Sequence, residues 1–155
     1  MTEIVEGTRA PAFEMPADNG TTVSLESLKG QPAVLYFYPK ADTPGCTNEA
    51  KDFTDLADDY AGLSTIVVGV SKDPVKKLDK FKAKYDLKVR LASDETSGVT
   101  EAFGFWVEKS MYGKTYMGIE RATVLIDGDG IVRRVWRKVS VKGHAAEVLE
   151  AVRSL

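Results

Sequence analysis

Two apolar runs, AVLYFY at 33–38 and STIVVGVS at 64–71, constrain the fold more than any other feature of the chain. Both are short, rich in β-formers and without the alternation of a half-exposed strand. Each therefore reads as a strand buried on both faces. Between them Phe53, Leu56, Ala57 and Tyr60 fall at i, i+3, i+4 and i+7, one face of a helix predicted over 46–60. Strand, helix, strand is a βαβ unit, and it forces the two strands to run parallel.

The flanking segments extend this unit. Asp73-Pro74 predicts a helix start, with Asp as N-cap and Pro at N1. Leu78, Phe81, Lys82 and Tyr85 continue that helix, the lysine stem covering one edge. KVRLAS (88–93) is a third strand, and TSGVTEAFG (96–104) a short helix ended by Gly104. ATVLIDGDGIVRRVWRKV (122–139) predicts two antiparallel strands about an Asp-Gly turn. Ala145, Val148, Leu149 and Val152 mark a closing amphipathic helix, and FEMPADNGTTVSL a small N-terminal hairpin turning at Asn-Gly. The predicted fold is α/β in three layers, with a mixed central sheet flanked by helices. At 155 residues, and with no repeat or linker, one domain over 1–155 is expected.

Charge and cysteine usage narrow the function. A net charge of −2 gives no basic footprint for nucleic acid or an anionic membrane. MTEIVEGTRAPAFEM has acidic residues and no apolar stretch of a secretory signal. No run approaches the roughly 18 apolar residues of a membrane span. The single cysteine allows no intrachain disulfide, so a cytoplasmic, reducing setting is expected.

That cysteine, Cys46, lies in PKADTPGCTNEAKDF (39–53), just after the first apolar strand. Thr43 suits an N-cap and Pro44 the N1 position, which puts Cys46 near N3. A thiol there sits at the carboxyl end of a central strand, where open α/β sheets bind ligands. It also sits in a first helical turn, whose free N–H groups and dipole favour a thiolate. Gly45 lets a ligand approach the backbone closely. The competing reading is a small buried hydrophobe, the fate of most free cysteines.

Pro39-x-x-x-Thr43-x-x-Cys46 resembles the PxxxTxxC motif of peroxiredoxins. VLYFYPKADTPGCTNEAKDF is similar to the bacterioferritin comigratory protein (peroxiredoxin Q) branch. The likeness continues through GVSKDP (69–74), FKAKYDL (81–87), LASDE (91–95), FGFWVEKSMYGKTYMGIERATVLID (103–127) and GHAAEVL (143–149), essentially the whole chain. The resemblance implies a thioredoxin-like fold and thiol-dependent reduction of hydrogen peroxide and organic hydroperoxides, with no cofactor and no metal. It implies Cys46 as nucleophile, Thr43, Pro39, Pro44 and Gly45 as its pocket, and Arg121 as its cationic partner. Glu49, one turn beyond Cys46, could hold Arg121 or be a solvated helix carboxylate.

The chemistry asks for more than a thiolate. Lowering a thiol pKa from about 8.5 to about 6 raises the thiolate fraction at pH 7 roughly 30-fold. With a Brønsted coefficient of about 0.4–0.5, nucleophilicity falls about 10-fold in return. Most acceleration must therefore come from stabilising charge on the two oxygens as their bond breaks. A guanidinium with fixed donors suits that role, and a threonine hydroxyl, donor and acceptor at once, suits orienting the peroxide.

Other signals carry less. Asp127-Gly-Asp-Gly130 lacks the third acid and the closing Glu of a calcium loop and reads as a turn. His144, the only histidine, reads as structural, and Trp106 and Tyr112 as packing residues that could otherwise line the site.

The chain departs from its apparent relatives at one point. Many members of the branch carry a resolving cysteine five residues after the first, where this chain has Lys51. The reductant is then expected from outside: thioredoxin, glutaredoxin, a low-molecular-weight thiol, or Cys46 of a second copy. The protein is expected to be a monomer or weak homodimer. A thioredoxin-fold binding, chaperone or redox-sensor module with little turnover is the alternative. Peroxide consumption with dithiothreitol separates the two.

Overall fold

The computed structural model describes residues 4–155. Residues 1–3, the start of the segment read as lacking a secretory signal, lie outside the described residues. The N-terminal hairpin pairs β1 (Glu14–Pro16) with β2 (Thr22–Ser24). Its turn places Asn19 and Gly20 at positive φ, as the Asn-Gly pair predicts. The first apolar run becomes β3 (Ala33–Phe37) and the second β4 (Ile66–Ser71), and they pair in parallel. β5 (Arg90–Ser93) adds in parallel to β4. β8 (Ala122–Ile126) and β9 (Val132–Trp136) form the predicted hairpin, with β8 antiparallel to β3. The sheet order β5-β4-β3-β8-β9 is therefore mixed, with β3 in the centre.

Alternation along β3 divides the core. Val34, Tyr36 and Tyr38 face a layer of Phe53, Leu78, Phe81, Val148 and Leu149, supplied by α1 (Pro44–Asp55), α3 (Val75–Tyr85) and α5 (His144–Arg153). Ala33, Leu35 and Phe37 face Met15, Val23, Val99, Phe103 and Phe105, supplied by the N-terminal hairpin and the region of α4 (Val99–Ala102). With both faces covered, β3 is apolar at every position, which is why it reads as a continuous run.

Three expectations need correction. The helix predicted over 46–60 is two helices, α1 and α2 (Ala57–Gly62), broken at Leu56 with φ −100° and ψ 10°. The apolar periodicity survives the break because Phe53 and Tyr60 both still reach the core. The helix after Asp73-Pro74 has Pro74, not Asp73, at its N-cap. The Asp73 carboxylate is drawn elsewhere, accepting from Ser71 Oγ at 2.8 Å and Ala41 N at 2.8 Å. Finally, FGFWVEKSMYGKTYMGI contains an unanticipated hairpin, β6 (Trp106–Met111) against β7 (Lys114–Ile119). Its Tyr112-Gly113 turn has φ +52° and +77°, the type I′ pattern usually announced by Asn-Gly. Tyr112 is 98% exposed, so it neither packs nor lines the site.

Gly69 shows how closely β3 and β4 are fitted. It pairs with Tyr36, and a Cβ at Gly69 would lie 2.6 Å from the Tyr36 Cζ and hydroxyl oxygen. Tyr36 is stacked on Phe53 at 4.6 Å and has no slack on that side. Gly69→Ala should therefore lower stability by about 1–3 kcal/mol, the usual cost of overpacking. A shift of the urea midpoint at constant m-value would register it.

Candidate active site

The site begins where β3 runs out. Tyr38 N still donates to Val70 O at 3.0 Å, and Pro39, exposed, ends the strand. The chain then turns under two restraints. Asp73 accepts the Ala41 amide, and Asp42, at φ +62°, accepts from the Tyr85 hydroxyl at 2.6 Å and the Lys84 ammonium at 2.9 Å. Thr43 follows as N-cap, Pro44 as N1, and Cys46 as N3 of α1, as the spacing predicts. The Thr43 hydroxyl does not cap the helix by hydrogen bonding. It donates backward to Lys40 O at 2.8 Å, which leaves its lone pairs free to accept.

Cys46 is 2% exposed, and Arg121 lies against it. Arg121 Nη2 donates to Cys46 Sγ at 3.3 Å, and Nη1 donates to Glu49 Oε1 at 2.6 Å. One guanidinium thus spans a thiol and a carboxylate one turn apart on the same helix. Gly45 permits this approach: a Cβ there would stand 3.3 Å from Arg121 Nη2. The sheet delivers Arg121. Phe37, the last residue of β3, pairs with Ala122, the first of β8, so Arg121 lies level with the departure of α1. Its carbonyl accepts Val139 N at 2.9 Å. Its neighbour Glu120 is fixed by Arg137 at 2.9 and 3.0 Å.

Glu49 is 1% exposed, which excludes the solvated-carboxylate reading. Its Oε2 is buried with no hydrogen-bond partner. Burial pushes its pKa up to about 7 even though Arg121 pulls the other way. Beneath the site the Tyr36 and Tyr38 hydroxyls are also buried without partners, and burial raises their pKa values. Both remain neutral phenols.

Of the predicted residues, Cys46, Glu49, Arg121 and Gly45 meet directly. Thr43 and Pro44 form the adjoining start of α1, Pro44 exposed and Thr43 half-buried. Asp42, Asp73 and Tyr85, which shape the approach to α1, escaped sequence reading because loop carboxylates and a helix-end tyrosine have many other uses. Lys109 escaped with the hairpin that carries it. Its stem crosses Gly118, 3.2 Å from where a Cβ would stand, and its ammonium interacts electrostatically with Arg121 and Cys46.

A family model described as the AhpC/TSA family matches residues 7–135. The chain belongs to that family. Within it, the relatives are of the Bcp and peroxiredoxin Q type. The chain is 47% identical to peroxiredoxin Bcp of Bacillus subtilis, covering 96% of this chain and 95% of that protein. It is 49% identical to a putative peroxiredoxin bcp of Coxiella burnetii over 92% and 95%. Peroxiredoxin Q of Xanthomonas campestris superposes with a TM-score of 0.90 at 41% identity, over 99% of this chain and 98% of that one. These likenesses bear out the thioredoxin-like fold with its mixed sheet and N-terminal hairpin. The Xanthomonas protein is also known with either of two cysteines replaced by serine, whereas this chain has a single cysteine.

Two lesser readings find a structural account. His144 is buried, with Nε2 2.7 Å from Thr123 Oγ1, and burial lowers its pKa. Asp127 Oδ1 accepts the amides of Asp129 and Ile131, so the Asp-Gly-Asp-Gly stretch is a self-satisfied turn. Among the described residues, no group of three or more His, Cys, Asp or Glu side chains is arranged to hold a metal ion.

Glu49 makes stability depend on pH in a defined direction. Its native pKa of about 7 lies above the value of about 4.3 of an unfolded glutamate. Between these values the native state binds more protons, so this contribution falls as pH rises. His144 has the opposite sign, and comparison with Glu49→Gln cancels it. From pH 5 to 8 the wild type should lose at least about 1 kcal/mol of stability relative to Glu49→Gln, measured as paired urea midpoints.

Proposed function

We propose that this protein is a thiol peroxidase, one domain over 1–155, that reduces hydrogen peroxide and organic hydroperoxides through a Cys46 sulfenic acid recycled by an external thiol. Its family membership and its peroxiredoxin relatives support thiol peroxidase chemistry. A similar Xanthomonas campestris protein, 41% identical, is described by its alkyl peroxide reduction activity. The observation that carries the residue assignment is the 3.3 Å hydrogen bond from Arg121 to the Cys46 sulfur in the first turn of α1.

Cys46 thiolate attacks one peroxide oxygen as the O–O bond breaks. With one proton taken up, the products are Cys46 sulfenic acid and water or an alcohol. Arg121 and the first-turn amides near Gly45 and Cys46 stabilise the charge that develops on the oxygens. The lone pairs of Thr43 accept the proton-bearing end of the peroxide, and Pro39 and Pro44 line the approach. Glu49 holds the guanidinium in place. An external thiol then condenses with the sulfenic acid, releasing water and leaving a mixed disulfide. A second thiol frees Cys46. Thioredoxin, glutaredoxin and small thiols all fit that chemistry. The working form is a monomer or weak homodimer in the cytoplasm. Among the described residues, no helix is long and apolar enough to cross a membrane.

Cys46→Ser should abolish peroxide consumption in the presence of dithiothreitol while leaving the circular dichroism spectrum intact. Turnover in that variant would refute the assignment, and absence of turnover in the wild type would favour the sensor or chaperone alternative. Arg121→Ala should slow the single-turnover reaction by about 10²-fold or more, the scale of losing one preorganised charge-stabilising group. The comparison belongs at a pH where both proteins are thiolates. Without thiol, excess peroxide should add two oxygens at Cys46 in the intact mass, the sulfinic acid.

A further inference from the structure

Cys46 is 2% exposed, so a protein thiol or glutathione-sized thiol can attack its sulfur only if the backbone around it moves. Recycling by an external thiol, as proposed above, therefore depends on what holds that backbone. One side chain grips it on both sides of Cys46. The Tyr85 hydroxyl, at the end of α3, donates to Asp42 Oδ1 at 2.6 Å, four residues before the cysteine. The Tyr85 ring lies under the Lys51 ammonium at 5.8 Å, five residues after it. Lys84 reinforces the first contact, bonding Asp42 Oδ2 at 2.9 Å and lying 5.3 Å from the same ring. Phe81 packs edge-on against Tyr85 at 5.6 Å and fixes the ring to the core. Asp42 takes these contacts in a left-handed conformation immediately before the N-cap, so releasing it frees the entry to α1.

We propose that Tyr85 is a latch, a positioning residue that keeps the first turns of α1 wound after Cys46 is oxidised and so divides the sulfenic acid between over-oxidation and recycling. With the latch closed, the sulfenic acid stays beside Arg121, which serves a second peroxide as it served the first. Cys46–SOH and ROOH then give Cys46–SO2H and ROH. With the latch open, the sulfur moves out to a thiol, and Cys46–SOH and R′SH give Cys46–S–SR′ and water. The contacts are a surface hydrogen bond and a surface cation–π pair, each weak enough to open thermally. The wild type should therefore sit mostly closed and open often.

Tyr85→Phe keeps the ring and the Phe81 contact and loses only the hydroxyl. Lys51→Gln loses only the cation, and Lys51→Arg keeps it. Amide exchange over 43–51 in the reduced protein reads the latch directly. The yield of Cys46 sulfinic acid per turnover, by intact mass at fixed hydrogen peroxide and dithiothreitol, reads its chemical effect. Tyr85→Phe and Lys51→Gln should each exchange about fivefold faster there, the scale of one surface contact, and lose correspondingly less Cys46 to sulfinic acid. Lys51→Arg should match wild type, and the global unfolding midpoint should stay put in all three. Unchanged exchange overturns the proposal, and so does faster exchange with an unchanged sulfinic yield. A lowered midpoint in one variant passes judgement to the other. If the wild type turns over no peroxide, the peroxidase reading fails and the partition with it, while the exchange data still decide whether Tyr85 holds α1.

Discussion

The site depends on one antiparallel pairing, β3 against β8, in the register that sets Phe37 opposite Ala122. Cys46 is reached by leaving β3 through a tight turn into α1, and Arg121 is the last residue before β8 begins. A shift of one residue would turn the guanidinium to the other face of the sheet. The register is secured by apolar side chains on both faces of β3 and by the uniformly buried β8 opposite it. Position at the site is thus a product of core packing, and the Arg121–Cys46–Glu49 group inherits its geometry from it.

That group is electrostatically uneven. A permanent cation meets a sulfur and a carboxylate in a pocket nearly closed to water, and one carboxylate oxygen has no partner. Burial works against charge on Glu49, whereas Arg121 requires a counter-charge to be held there. A glutamate poised near neutrality meets both demands. It orients the guanidinium through Nη1 and leaves Nη2 to the sulfur.

Much of this was legible in the sequence, for identifiable reasons. Buried strands such as AVLYFY announce themselves because both faces demand apolar side chains. The order Thr43, Pro44, Gly45, Cys46 announces a helix start because each residue suits its position, and the distant Arg121 became visible only through the family resemblance. What stayed hidden was decided by tertiary partners. Asp73 reads as a helix cap, but its carboxylate serves the Ala41 amide across 32 residues. The β6–β7 hairpin was hidden by a Tyr-Gly turn in place of Asn-Gly and by a mostly exposed strand pair without strong apolar alternation. The Leu56 break was hidden because a helical apolar period can pass through a single distorted turn and still reach the same core.

The break at Leu56 also separates two mechanical domains of influence. Helical hydrogen bonds come undone successively, so disturbance of the turn that bears Cys46 travels along α1 as fraying. At Leu56 the regular ladder is interrupted, and Tyr60 beyond it is moored by its hydroxyl to Ala145 O at 2.8 Å. The junction acts as a firebreak: the turn that bears Cys46 can loosen while α2, α5 and the sheet beneath them keep their registry. A chain with one cysteine can in this way combine a pliable segment with a rigid frame, the two meeting at a single irregular residue.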